Sequence, residues 1–196
     1  MTESASRSSE YAESGRNEFW EWTKALLIAI ALAVIIRTFL FAPFLVDGQS
    51  MVPSLANHER LIVNKFIYFM REPERGEILV FHATPEKDYI KRVIGLPGET
   101  IEFKDDTLYI NGEEQIEPYL QAIKNSYHED GIPYTNDFGP VEVPEGHLFV
   151  MGDNRPNSED SRELGSIPLE TVVGRAELVF WPLPEVRLLH WGGDTS

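Results

Sequence analysis

The sequence predicts a mainly β fold, a meander of strands preceded by one N-terminal transmembrane helix. Three observations carry this. A block of apolar residues interrupts polar sequence near the N-terminus. Beyond residue 44, short runs rich in β-branched and aromatic residues recur between Gly, Pro and acidic clusters, while helical periodicity is weak. Finally, Asn111-Gly112 separates two such runs and supplies the positive φ angles of a type I′ hairpin turn.

Residues 1–18 are polar, rich in Ser and Glu and without apolar period, the composition of a tail that cannot bury enough surface to order itself. The character then reverses over residues 19–41. The uninterrupted apolar stretch, Ala25 to Ile36, is twelve residues, short of the roughly 20 a helix needs to cross hydrocarbon. Lys24 and Arg37 therefore have to snorkel to opposite headgroup layers, with Trp20 and Trp22 at an interface, for the segment to span. The alternatives are a buried soluble helix and a removable signal peptide ending at Leu40-Phe41-Ala42, and Pro43 argues against cutting there. Orientation is not fixed by charge, because the first 24 residues hold three basic and five acidic side chains and long domains fall outside the positive-inside rule.

Strands are expected at Leu61–Tyr68, Glu77–His82, Tyr89–Ile94, His147–Met151 and Thr171–Trp181. With the hairpin around Asn111-Gly112 they read as a β meander, and residues 117–146, punctuated by prolines, read as loops and short strands projecting from the main sheet. Residues 191–196 read as a C-terminal tail.

At 196 residues, with 42% hydrophobic and 25% charged side chains, the chain suits one globular domain plus an anchor and excludes two large domains. Its net charge of -15 opposes binding to phosphate backbones, so no nucleic-acid partner is expected. With no cysteine, disulfides, thiolate zinc sites and cysteine nucleophiles are excluded.

Ser50 lies in Gly48-Gln-Ser-Met-Val-Pro-Ser-Leu55, where Gly48 permits a tight backbone approach and Pro53 forces Val52 to be extended. It is either a presented nucleophile or an ordinary turn serine. None of the five histidines lies in a catalytic signature, and neither Gly-x-Ser-x-Gly nor His-Glu-x-x-His occurs. Lysine is the other base that serine chemistry uses. In Tyr89-Ile-Lys-Arg-Val-Ile-Gly95, alternation puts Lys91 and Arg92 on opposite faces that are both apolar, so the pattern leaves open which of the two is buried. Burial disfavours an ammonium, and a lysine drawn from about 10.4 to near 8 surrenders about 3 kcal/mol of solvation. A third cluster, Gly152-Asp-Asn-Arg-Pro-Asn-Ser-Glu-Asp-Ser-Arg162, offers hydroxyls and carboxylates to hold such a group, or is a solvated turn.

These three clusters, in this order, resemble those of the type I signal peptidase (leader peptidase) family in its short, single-anchor form, over about residues 19–184. The resemblance implies an antiparallel β-sheet catalytic core over residues 42–101 and 147–190 with a small inserted β region over 102–146, and a membrane-bound serine endopeptidase with Ser50 as nucleophile and Lys91 as the general base that later protonates the leaving amine. It gives Ser158 a hydrogen bond to the Lys91 amine, pairs Asp160 with Arg162, and has Asp153 and Asn154 shape their loop. The oxyanion would be met by the Ser50 backbone N–H with a donor near Gly48. Phe44, Val46, Met51, Leu55, Tyr89 and Ile90 would line shallow substrate pockets or simply pack in the core. Expected partners are signal peptides with small residues, typically alanine, at the first and third positions before the cut, the lipid bilayer and the secretion translocon. No cofactor or metal is implied. The chain would sit in the cell membrane with its N-terminus cytoplasmic and its catalytic domain outside.

Two positions depart from the family pattern. Gly48 replaces the serine whose hydroxyl helps the oxyanion in the long form, and Ser54 replaces the more usual threonine. Three rivals stand beside this reading. One is the self-cleaving Ser-Lys domain of stress-response repressors, which needs a DNA-binding partner domain. Another is a specialised processing peptidase that cuts one pilin or one conjugation protein, which the sequence does not separate. The third is an anchored β-domain in which Ser50 and Lys91 are incidental.

Overall fold

The computed structural model describes residues 20–189. The tails expected over 1–18 and 191–196 lie outside the described residues, as does His190. The chain separates into two compact units, residues 1–40 and 41–196. In the first, residues 20–35 form a helix (α1) that runs into a π-helical turn at Ile36–Leu40. At about 1.5 Å per residue the α-helical part is about 24 Å long, against the ~30 Å of a hydrocarbon core. No helix among the described residues is long and apolar enough by itself to cross a membrane. The described α-helix ends before the expected anchor does because the chain enters the π-helical turn at Ile36–Leu40 and then β1 from Phe41. Its apolar side chains, from Trp22 through Leu26, Ile30 and Val34 to Ile36, are about half exposed or more.

The second unit is built on two antiparallel sheets. Strands β1 (Phe41–Leu45), β2 (Arg60–Asn64), β3 (Ile78–Thr84), β4 (Lys87–Gly95), β9 (His147–Met151), β10 (Ile167–Pro168), β11 (Val172–Trp181) and β12 (Arg187–Leu188) form the larger sheet, in the order β1-β2-β11-β3-β4-β9-β10 with β12 on β11. The smaller sheet, in the order β7-β6-β5-β8, contains β5 (Thr100–Lys104), β6 (Thr107–Ile110), β7 (Glu113–Gln115) and β8 (Phe138–Glu142). Ile110 pairs with Glu113 across Asn111 and Gly112, whose φ angles of 53° and 82° are those a type I′ turn requires. The β5–β6 turn is similar but uses two aspartates, Asp105 and Asp106, at φ 50° and 59°.

Alternation along these strands fills three apolar clusters. Val46, Met51, Leu55, Leu61 and Val80 anchor the first, beneath β1 and β2. Ile94, Ile101, Phe103 and Phe149 join the two sheets in the second, and Leu79, Phe81, Val93 and Val150 form the third.

The expected strand at Leu61–Tyr68 ends at Asn64, where the Asn64 side chain accepts from the backbone N–H groups of Phe66 and Ile67 and turns the chain into α2 (Ile67–Met70). The expectation of loops and short strands from residue 117 also needs correction, because Gln121–Glu129 is a helix, α3. Its single buried residue is Lys124, so it lacks the apolar stripe by which a helix announces itself.

Candidate active site

Two strands and two loops bring the site together. After β1 the chain is held by paired backbone bonds, Val46 N–H to Glu59 O at 2.8 Å and His58 N–H to Val46 O at 2.9 Å. Gly48 then turns it at φ 112°, a conformation that strains any other residue. Met51 and Leu55, both buried, fasten the far side of the turn to the core. Ser50 is thereby presented on a short loop with little freedom.

Lys91 comes from the middle of β4, between β3 and β9, paired opposite Leu79. Only 4% of it is exposed, and its Nζ lies 2.7 Å from Ser50 Oγ. Burial is the largest influence on the amine and pulls its pKa from 10.5 to about 8, against the carboxylates of Asp160, Glu159 and Asp153, which push it up. The amine is therefore available to take a proton under mildly alkaline conditions. A hydroxyl at hydrogen-bonding distance from such a base is the arrangement that activates a serine.

The neighbouring Arg92 is also buried, which answers what the alternation left open: Lys91 and Arg92 are both inside. Arg92 donates to both Asp153 carboxylate oxygens, at 2.9 and 2.6 Å, to Gly76 O at 2.7 Å and to Ser54 Oγ at 3.1 Å, and its guanidinium lies over the Tyr119 ring. Asp153 is thus a buried counter-ion to Arg92. Asn154 faces the nucleophile loop, its N–H donating to Ser50 O at 2.9 Å and its side-chain amide to Gln49 O at 3.0 Å. Asp160 caps α4 (Ser161–Leu164) and takes two bonds of 2.9 Å from the Arg162 guanidinium and one of 2.9 Å from Gly152 N–H. Burial alone would raise the Asp160 pKa, and Arg162 overrides it to hold the carboxyl below its usual range.

Three expectations are corrected by this geometry. Ser158 does not bond Lys91: its Oγ is buried without a hydrogen-bond partner of good geometry, although the hydroxyl contributes to the low pKa of Asp160. The cause is close packing, since a Cβ placed on Gly152 would meet Ser158 Oγ at 2.1 Å and Ser50 O at 2.4 Å. The Gly48 N–H is no oxyanion donor, because it is already given to Asn57 Oδ1 at 2.9 Å. Leu55 does not line the cleft that holds Ser50 and Lys91; it is fully buried in the first apolar cluster.

The other five pocket candidates, Phe44, Val46, Met51, Tyr89 and Ile90, do line one cleft of about 330 Å³ that also contains Ser50 and Lys91. Tyr89 reaches across its mouth to Glu159 Oε2 at 2.7 Å. Among the described residues, no histidine lines this cleft. Sequence reasoning missed Arg92, Arg155 and Asn57 as parts of the site. Arg155, inside the third cluster, was the one most open to discovery, while Asn57 carries no local signal.

A protein-family model described as signal peptidase, peptidase S26, matches residues 19–181. Signal peptidase I of Bacillus amyloliquefaciens is 50% identical over 190 residues, which cover 95% of this chain and 98% of the relative. Signal peptidase I T of Bacillus subtilis (strain 168) is 49% identical over 190 residues, with the same coverage. Among solved structures, a signal peptidase I from Enterococcus faecalis V583 is 42% identical and covers 54% of this chain and 97% of its own, with a TM-score of 0.49.

Proposed function

The chain belongs to the signal peptidase family, peptidase S26, as a serine endopeptidase of the signal peptidase I type, and from that premise we propose that Ser50 and Lys91 are its catalytic dyad, cutting preproteins after Ala-x-Ala sites at the membrane surface. The observation that carries this reading is the 2.7 Å contact between Ser50 Oγ and a Lys91 amine buried enough to have a pKa of about 8.

Ser50 Oγ attacks the carbonyl carbon of the residue before the cut while the neutral Lys91 amine accepts its proton. The oxyanion is met by the backbone N–H of Ser50, since that of Gly48 is engaged by Asn57. When the C–N bond breaks, the Lys91 ammonium returns the proton to the departing amine, which is the new N-terminus of the exported protein. A water molecule, deprotonated by Lys91, then hydrolyses the ester and frees the signal peptide. Asn154 holds the carbonyls of Gln49 and Ser50 during these steps. The cleft lies between the end of β1 and the start of β4, next to an unpaired edge of the larger sheet. An extended peptide suits such an edge, and walls formed by Phe44, Val46 and Ile90 leave room for small side chains.

The reading includes a single-pass anchor with the N-terminus cytoplasmic and the catalytic unit outside, meeting signal peptides as they leave the translocon. Two observations support membrane contact. The large apolar side chains of the helix over residues 20–35, among them Leu26, Ile30 and Val34, are about half exposed or more. In addition, Phe41 pairs with Asn64, so the exposed Phe66, just before α2, and Phe69 and Met70, within it, lie near the first residue of β1.

The test is cleavage of a model preprotein in membranes by wild type, Ser50→Ala and Lys91→Ala, with folding checked for each. Both variants should be folded and inactive. A folded Lys91→Ala enzyme that cuts normally would remove lysine as the base.

A further inference from the structure

The inserted segment between β5 and β8 contains a polar network that the reaction as described does not use. Lys124 of α3 donates to Asp106 O at 2.7 Å and to Glu117 Oε2 at 3.0 Å. The Asp106 carboxylate receives the backbone N–H groups of Tyr134, at 3.2 Å, and Thr135, at 2.9 Å. Glu117 is 5% exposed, and burial alone would raise its pKa; Arg155 and then Lys124 hold it down at about 2.

By hydrogen bonds this network reaches out of the insert to the loop of residues 152–155, and the Tyr119 ring, whose hydroxyl donates to Glu117, lies against Arg92. Glu117 forms a two-pronged ion pair with Arg155, whose Nε donates to Gly152 O at 3.1 Å, while the Tyr134 hydroxyl donates to Asp153 O at 2.7 Å. Thr135 adds a hydroxyl to Arg155 at 3.2 Å. The same loop carries Asn154, whose N–H meets Ser50 O, and Gly152, whose Cα packs on that same carbonyl. From Glu117 or Tyr134 to the nucleophile backbone there are therefore only two hydrogen-bonded steps. A buried ion cluster is a poor means of gaining stability, because well-packed apolar residues of equal volume often do as well or better. What it supplies is direction, fixing carbonyls and a guanidinium in one geometry.

We propose that Glu117 and Tyr134 are positioning residues for the dyad, through which the inserted segment fixes the 152–155 loop and thereby the backbone of Ser50. This rests on Ser50 being the nucleophile. Displacing a reacting group by about 1 Å can cost on the order of 100-fold in rate, so modest loosening of this loop is felt in kcat.

The experiment uses the full chain in detergent and a peptide carrying an Ala-x-Ala site. It measures kcat and KM for Tyr134→Phe, Glu117→Gln, Asn154→Ala and the two pairs with Asn154→Ala, with Ser50→Ala as control. Tyr134→Phe, which removes one hydroxyl and keeps the ring, should lower kcat ~5-fold, and Glu117→Gln ~10- to 100-fold, with KM within about 2-fold of wild type. Combined with Asn154→Ala, each should cost less than the product of the single effects, because both act through one loop. Wild-type kcat in Tyr134→Phe, or effects that multiply with Asn154→Ala, would overturn the proposal, even if both variants melt earlier. Should Glu117→Gln fail to fold, Tyr134→Phe decides alone. Activity surviving in Ser50→Ala would remove the underlying catalytic reading, whereas an inactive Ser50→Ala beside a normal Tyr134→Phe would remove this inference only.

Discussion

Lys91→Met should produce an enzyme that is inactive and, at neutral pH, more stable than wild type. Methionine has nearly the length of lysine and no charge to desolvate. Burial lowers the Lys91 pKa from 10.5 to about 8, so the folded state carries a penalty of roughly 3 kcal/mol wherever the amine is protonated in both states. The folded pKa lies below the unfolded one. Below about pH 8 the penalty is therefore constant; between about 8 and 10.5 the unfolded chain binds more protons and wild-type stability climbs; above that range the penalty is gone. The advantage of Lys91→Met should be about 3 kcal/mol larger near pH 7 than near pH 11. Loss of the hydrogen bond to Ser50 and of the amine's position over the Tyr89 ring shifts the absolute difference, but not its dependence on the protonation of residue 91. Urea titrations of the full chain in detergent, followed by tryptophan fluorescence at both pH values, give the comparison. A stability difference that is the same at both ends would refute the assignment of a strongly desolvated amine. In wild type, the same group should set the acidic limb of kcat/KM at about pH 8.

Gly152→Ala should lower kcat by more than ~100-fold, because its Cβ would collide with Ser158 Oγ and Ser50 O. Adding Ser158→Gly should not restore it, since the Ser50 carbonyl cannot be trimmed; steady-state kinetics of the single and double variants would contradict this if either cut normally. Arg92→Met leaves the fully buried Asp153 without its counter-ion and should destabilise by ~3–5 kcal/mol in the same urea titration. A loss under about 1 kcal/mol would mean that Asp153 finds another partner.

The expected core strands were legible because each has one face, or two, turned into an apolar cluster, and the hairpin because Asn111 and Gly112 both adopt positive φ cheaply. What was illegible has a common cause, namely polar groups buried by partners distant in sequence. Helix α3 turns Lys124 inward, and that lysine makes sense only once Glu117 and Asp106 surround it. The Asp105-Asp106 turn is hidden in the same way, because its second residue serves as an acceptor for Tyr134 and Thr135. At the site, residue types pointed to a serine and a lysine, but the choice of Lys91 over Arg92 came from resemblance to a family. Alternation could not separate two cations that are both buried, and the fate of each depends on residues 41 and 61 positions away.

Those two cations explain each other. Arg92 cannot lose its proton at any ordinary pH, so it can be buried only against an anion, and it takes the whole Asp153 carboxylate. Lys91 has to be able to lose its proton, so its close partner is the neutral hydroxyl of Ser50, with the carboxylates of Asp160, Glu159 and Asp153 acting on it through space. Each of these anions, left alone, would stabilise the ammonium and spoil the base. Asp160 is instead neutralised by Arg162, Asp153 by Arg92, and Glu159 lies exposed, where solvent screens it. The buried ion pairs around the dyad thus leave desolvation as the dominant influence on Lys91. A single β-strand can set a permanently charged arginine beside a lysine of depressed pKa because successive side chains face opposite sides of the sheet, where Arg92 meets an anion directly and Lys91 meets a neutral hydroxyl.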